Sequence, residues 1–126
     1  MTDSGHPPAP DQLVNLVTDE PTETVLTSLD RLSNADTDTR KQCLQGLRKL
    51  AGERRGVFAG LTPTLAEFLT DEERAVRLTT AKLFVNVAQA KPDLVRPTVE
   101  PLAARLADTE EFYYVRARSA EALGYV

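Results

Sequence analysis

Three arginines recur along this chain at nearly equal intervals, each a few residues after an acid in a polar segment. The arginines are Arg40, Arg77 and Arg116, and the acids are Asp36, Asp71 and Asp108. A guanidinium group binds a carboxylate or a phosphate through two parallel hydrogen bonds, so these arginines could hold an anionic ligand. Their repetition in register favours another role, because groups that join successive repeats must recur with the repeat. We therefore predict that they pair with turn acids.

No other set of residues has the spacing of a catalytic site. The chain has one cysteine, Cys43, and one histidine, His6. Cys43 aligns with Thr80 and Ser119 of the later repeats, which are small residues suited to packing between helices. His6 lies in a proline-rich N-terminal segment, so no ordered base is expected beside the thiol. The sequence thus predicts a protein that is not an enzyme, with no catalytic, metal-binding or cofactor-binding residue and no cofactor.

The net charge of −4 comes entirely from the N-terminal segment. Residues 1–20 carry four acids and no Lys or Arg, and the other 15 acidic and 15 basic residues cancel. Binding of nucleic acid normally needs a concentrated basic stripe, and none is visible in the sequence. No apolar run has the length of a membrane span, and the N-terminus lacks the pattern of a secretory signal. Because a lone cysteine also suits a reducing compartment, we predict a cytoplasmic protein without a membrane partner.

Helices must position these residues, because apolar side chains recur at helical spacing in each repeat. We predict three units of two helices, at about 19–55, 56–92 and 93–126, with the second helix of each unit beginning near the arginine. Residues 11–18 are predicted to form a short capping helix, and residues 1–10 a disordered acidic tail. A period of about 37 residues is typical of stacked repeat arrays. The predicted fold class is all-α.

The units resemble HEAT repeats, whose second helix often begins near a Val-Arg pair followed by small and apolar residues. Val76-Arg77 and Val115-Arg116 match that pair, and the turn acids with the following arginines resemble the Asp and Arg ladder of the family. Pro63 and Pro97 resemble the prolines that kink its first helices. The first unit departs from the pattern at Thr39. The resemblance implies a right-handed α-solenoid of about three helical hairpins whose second helices line a concave face. The excess of Arg over Lys is also similar to that of proteins from GC-rich genomes, including haloarchaeal ones.

The candidate binding surface is the row of second-helix positions that point away from the predicted core. Its members are polar and of mixed charge: Gln42, Gln45, Lys49, Thr79, Lys82, Asn86, Arg118, Glu121 and Tyr125. Further contacts are expected from the aromatic cluster of the last turn, Phe112, Tyr113 and Tyr114, because exposed aromatic side chains anchor interfaces. A mixed polar surface suits a protein or peptide with complementary charges. We therefore predict an adaptor or scaffold that binds a partner protein through its concave face.

Three alternatives stay open on the sequence. The chain could be a regulatory or accessory subunit that docks through its C-terminal edge, Leu123–Val126. It could bind nucleic acid if folding gathers basic residues onto one face, which a salt-sensitive interaction with duplex DNA or RNA would reveal. It could also be a repeat-type lyase of the bilin-transferring kind, because that class has few sequence signals beyond the repeat. Covalent bilin transfer would identify this last class.

Overall fold

The computed structural model describes residues 6–53 and 56–126, and the regular secondary structure of that part is entirely helical. Its α-helices are α1 Pro10–Asp19, α2 Thr22–Leu32, α3 Thr37–Glu53, α4 Thr62–Leu65, α5 Arg74–Ala90, α6 Val99–Ala107 and α7 Tyr113–Leu123. Short 3₁₀ segments lie at Ala66–Thr70, Pro92–Leu94 and Arg96–Thr98. The predicted all-α fold class is confirmed.

The longer helices pack side by side in chain order. α3 contacts α1 and α5, and α5 in turn contacts α7. The 3₁₀ segment Ala66–Thr70 packs against α5, and α6 packs against α7. The three predicted units correspond to α2–α3, α4–α5 and α6–α7, and their second helices, α3, α5 and α7, lie side by side.

Apolar side chains at helical spacing on these helices form one continuous core. α5 buries nine residues, among them Val76 and Phe84, because it lies between α3 and α7. α7 buries only Val115, Ser119 and Ala122. The core is thus deepest around α5 and thins toward α7.

The N-terminal segment packs onto α3 before the first helix begins. Residues 1–5 of the predicted tail lie outside the described residues, and His6–Ala9 have no regular structure. Pro8 is buried, and its carbonyl oxygen accepts a hydrogen bond from the Cys43 thiol, with Sγ and O 3.5 Å apart. α1 begins at Pro10, one residue before the predicted Asp11. A proline suits that position because its φ is already helical and its missing N–H would have no partner there.

Pro63 and Pro97 do not kink the first helices, which corrects the expectation drawn from the resemblance. Pro63 lies in the first turn of α4, and Pro97 lies in a 3₁₀ segment that precedes α6. The first N–H groups of a helix have no intrahelical acceptor, so a proline there removes no helical hydrogen bond. Both prolines therefore mark where a helical segment begins.

Two glycines shape the connection between α3 and α4, of which residues 54–55 lie outside the described part. Gly56 and Gly60 have φ values of 86° and 78°, in the left-handed region that other L-residues rarely adopt. Between and just after them, the side chains of Phe58 and Leu61 are 2% exposed. The two left-handed glycines thus lie on either side of Phe58, and the side chains of Phe58 and Leu61 belong to the core.

Candidate partner-binding surfaces

Arg40 joins the first unit to the second. Its Nε and Nη2 donate to the Asp71 carboxylate at 2.9 and 3.1 Å, and its Nη1 donates to the carbonyl oxygen of Ala35 in its own turn. The two side chains are 8% and 10% exposed, so the ion pair is almost fully shielded from water. The predicted pairing with a turn acid is therefore made across units rather than within one.

Asp36, the acid of the first turn, has a local role instead. It immediately precedes α3, and its Oδ1 accepts the backbone N–H of Thr39 at 2.7 Å. Hydrogen bonds from the Thr39 side chain and backbone lower the pKa of Asp36 below its ordinary value. Asp36 thus caps the beginning of α3.

Arg77 joins the second unit to the third, but its partner is Glu111 and not the predicted Asp108. Arg77 Nε lies 2.9 Å from Glu111 Oε2, and Nη2 lies 3.0 Å from Oε1. Asp108 instead pairs with Arg105 at 3.5 Å within the third unit. The turn before α7 is longer than the one before α5, so the carboxylate that faces Arg77 comes three residues later than the repeat alignment places it.

Glu111 forms ion pairs with two arginines, Arg77 and Arg105. Its side chain is 1% exposed, and Arg105 Nη1 donates to Oε2 at 2.9 Å. The backbone N–H of Phe112 donates to Oε1 at 2.7 Å. Burial alone would raise the pKa of Glu111, but the hydrogen bonds from Arg77, Phe112 and Arg105 outweigh it and hold the pKa below its ordinary value.

Arg116, the third arginine of the series, makes a hydrogen bond to a carbonyl oxygen of its own unit but no ion pair with a carboxylate of another unit in the described residues. Its Nε donates to the Leu106 carbonyl oxygen at 3.1 Å, as Arg40 and Arg77 donate to carbonyls near their own turns. It pairs with no carboxylate among residues 6–53 and 56–126. Within the described residues, the ion pairs between units therefore involve Arg40 and Arg77 but not Arg116.

A polar groove of about 180 Å³ runs across α3, α5 and α7. It is lined by Arg48, Lys82, Val85, Asn86, Gln89, Arg118 and Glu121. Asn86 Nδ2 donates to the Arg48 carbonyl oxygen at 3.1 Å, which ties α5 to α3 within the lining of the groove. Arg118 pairs with Glu121 at 2.7 Å. Three cations against one carboxylate give the lining a formal charge of +2.

The groove brings together four residues of the predicted binding surface: Lys82, Asn86, Arg118 and Glu121. Tyr125 adjoins it, because its hydroxyl oxygen accepts a hydrogen bond from Gln89 Nε2 at 3.0 Å. The α3 members of the predicted row are exposed but do not line the groove: Gln42, Gln45 and Lys49. The predicted residues that line the groove therefore come from α5 and α7, and none comes from α3.

Thr79 belongs to the predicted surface, but in the structure it is buried. Its side chain is buried, and its hydroxyl donates to the Ala75 carbonyl oxygen at 2.9 Å. Because α3 and α7 cover both flanks of α5, the exposed face of α5 is narrower than that of its neighbours. The repeat alignment, which equated Thr79 with the exposed Gln42 and Arg118, could not show this difference.

Arg48 and Gln89 also line the groove, and neither is among the predicted contact residues. Each follows a predicted contact residue by three positions, Gln45 in the first case and Asn86 in the second, and residues three apart share a helix face. Extending each predicted row by one helical turn would have found them.

The three aromatic side chains of the predicted cluster contact one another at the beginning of α7. The Phe112 and Tyr114 ring centroids are 5.4 Å apart, those of Tyr113 and Tyr114 are 5.3 Å apart, and both pairs meet edge to face. The Arg74 guanidinium lies 4.2 Å above the Phe112 ring, which is half-buried. Tyr113 and Tyr114 are 70% and 56% exposed, so two rings face outward.

Cys43 has the environment of a packing residue. It is fully buried, as are its counterparts Thr80 and Ser119, whose hydroxyls donate to carbonyl oxygens one helical turn earlier. Burial raises the pKa of the Cys43 thiol to about 11. At neutral pH the thiol is therefore protonated and unsuited to nucleophilic attack.

The described part of the chain contains no group of His, Cys, Asp and Glu side chains arranged to hold a metal ion. Within the same residues, no helix combines the length and the apolar character needed to cross a membrane. Comparisons with protein-family models, with curated proteins and with solved structures found no match.

Proposed function

We propose that this chain is a cytoplasmic, non-enzymatic interaction module, a right-handed HEAT-like α-solenoid of three helix pairs that binds a partner protein in the polar groove. The observation that carries the proposal is the groove itself, in which three different helices contribute cations and amides to one concave surface. Carboxamides and cations that converge in a groove recognise polar peptide groups by hydrogen bonds and complementary charge. A single cysteine, fully buried, also suits a reducing compartment.

The charge of the groove indicates what kind of segment it binds. Neither Arg48 nor Lys82 forms an ion pair within the described ranges, whereas Arg118 is paired with Glu121. The groove thus carries a formal charge of +2 on a chain whose net charge is −4. We therefore expect the bound segment of the partner to carry Asp or Glu side chains.

The test is an affinity pull-down from a lysate of the source organism, followed by measurement of the dissociation constant for each recovered protein. The groove variant carries Arg48→Glu and Lys82→Glu. The control carries Lys91→Glu and Arg96→Glu, which change the net charge equally at exposed positions outside the groove. We expect the groove variant to bind at least about tenfold more weakly than wild type, and the control to bind as wild type does.

Two results would contradict the proposal. Equal recovery of the same protein by wild type and the groove variant would place its binding on another surface. Recovery of no discrete protein by wild type would remove the adaptor function.

A further inference from the structure

We propose that a cavity between the first helices of the first two units is a docking site for an arginine side chain of a different protein. We call this cavity the α2–α4 pocket. Its volume is about 210 Å³. Its lining includes Leu26, Leu29, Asp30, Thr64, Glu67 and Phe68. It shares no lining residue with the polar groove, so the proposal does not depend on the function proposed for the groove.

The inner lining of the pocket is apolar. One wall is α2, and the other is α4 with the 3₁₀ segment Ala66–Thr70 that continues it. Leu29 and Phe68 belong to the core and are 1% and 4% exposed, and Leu26 is half-buried against that core. The pocket is therefore built from side chains that are held in place by the packing between units.

Two carboxylates complete the lining, Asp30 on α2 and Glu67 on the opposite wall, and both residues are exposed. Neither carboxylate forms an ion pair within residues 6–53 and 56–126. In the same residues their hydrogen bonds are made by the backbone carbonyl oxygens, to which the Ser33 and Thr70 hydroxyls donate at 2.6 and 3.0 Å. The pocket thus has a formal charge of −2, with no cation in its lining.

The contacts between second helices show the opposite arrangement. There the chain supplies both partners, because Arg40 binds Asp71 and Arg77 binds Glu111. In the α2–α4 pocket the chain supplies two carboxylates without a counterion among the lining residues. Charge complementarity therefore assigns a cation to the occupant.

The size and lining of the pocket select one long basic side chain. Small-molecule sites usually have volumes of about 300–1,000 Å³, so a cavity of about 210 Å³ is small for a cofactor. An apolar interior beside exposed carboxylates suits a side chain with an apolar methylene stem and a cationic head. A planar guanidinium group with five N–H donors can bind the carboxylates of both walls at once, which an ammonium group does less well. Arginine is also enriched among the residues that dominate protein interfaces.

The test is an NMR titration of the full ¹⁵N-labelled chain at low ionic strength with capped tripeptides. The probes are Gly-Arg-Gly, Gly-Lys-Gly and Gly-citrulline-Gly, because citrulline has the shape of arginine without its charge. The pocket variant carries Asp30→Asn and Glu67→Gln. The control carries Asp19→Asn and Glu23→Gln, which change the net charge equally at exposed positions outside the pocket.

We expect Gly-Arg-Gly to shift the amide signals of residues 26–33 and 64–68 until they saturate, with a dissociation constant on the order of 10 mM. The citrulline peptide should bind wild type at least about fivefold more weakly, because it makes no ion pair. The pocket variant should bind Gly-Arg-Gly at least about fivefold more weakly than wild type, and the control should bind as wild type does. Gly-Lys-Gly should bind more weakly than Gly-Arg-Gly.

Several results would overturn the proposal. They are signal shifts that do not saturate or that lie outside the pocket, equal binding of the arginine and citrulline peptides, and equal binding by wild type and the pocket variant. Binding of Gly-Lys-Gly as tight as that of Gly-Arg-Gly would remove the assignment to arginine. Self-association of wild type that the pocket variant abolishes in sedimentation equilibrium would make the occupant a second copy rather than a different protein.

Discussion

Glu111 holds two units together through a single carboxylate. It accepts hydrogen bonds from Arg77 of the second unit and from Arg105 of its own unit, and its side chain is 1% exposed. Removal of this charge would leave both guanidinium groups without their partner in a shielded site. We therefore expect Glu111→Gln to lower the free energy of unfolding by about 3 kcal/mol at pH 7, measured by urea denaturation.

The neighbouring Glu110 provides the control, because it is exposed and its side chain makes no ion pair among the described residues. Glu110→Gln should change the stability by less than about 0.5 kcal/mol. The folded-state pKa of Glu111 is below the ordinary value of 4.5, so its contribution is fully present above pH 4.5 and is lost as the pH falls through the folded-state value. The difference between wild type and Glu111→Gln should therefore shrink below pH 4.5. A difference that stays constant down to pH 3 would show that the charge is not its cause.

At the scale of elements, the connection between α3 and α4 depends on backbone geometry that only glycine adopts easily. Gly60 has a φ of 78°, and a Cβ there would lie 3.4 Å from Thr22 Cγ2. We expect Gly60→Ala to destabilise the fold by about 1 kcal/mol. Gly52 lies in the last turn of α3, and a Cβ there would meet no atom of the described residues within 4 Å. Gly52→Ala should instead stabilise the fold by about 0.5–1 kcal/mol, because alanine is the better helix former. Thermal unfolding of both variants measures the two changes in stability, which should have opposite signs. A Gly60→Ala variant that is more stable than wild type would contradict the prediction.

The sequence predicted the second helices well and the first helices less well, for a physical reason. The second helices have long apolar stripes, such as Leu44 and Leu47 on α3, and these stripes are buried as predicted. The first element of the second unit is only a four-residue α-helix that continues into a 3₁₀ segment, although Leu65 and Leu69 are both buried in it. Apolar spacing thus identified the buried face but not the kind of helical turn that forms it. Element boundaries depend on local hydrogen bonds, which a periodic pattern does not encode.

The candidate site was predictable only in part, because a repeat alignment treats every unit as equivalent. It placed Lys82 and Arg118 on the outward side of their helices, and both line the groove. It failed for Thr79, which is buried on the central helix, and for the partner of Arg77, which the longer third turn shifts to Glu111. Position within the stack and turn length therefore decide which equivalent residues keep the same role.

At the scale of the whole molecule, stability should vary along the row of helices. α5 packs between α3 and α7 and buries the most residues, whereas α7 has neighbours only at α5 and α6 among the longer helices described. In arrays of stacked units, each unit depends chiefly on its nearest neighbours. We therefore expect amide hydrogen exchange to be slowest in α5, faster in α3 and fastest in α7.

The two ion pairs between units make this gradient testable by substitution. Arg77→Gln removes the bonds that join the second and third units, so it should speed exchange in α7 by about tenfold or more while α3 changes little. Arg40→Gln removes the bonds between the first and second units and should speed exchange in α1 and α3 more than in α7. Each variant is thus the control for the other, since both remove one shielded guanidinium from an equivalent position. If both variants accelerate exchange equally in α3 and α7, the units unfold as one cooperative block. The prediction that these ion pairs couple only neighbouring units would then be wrong.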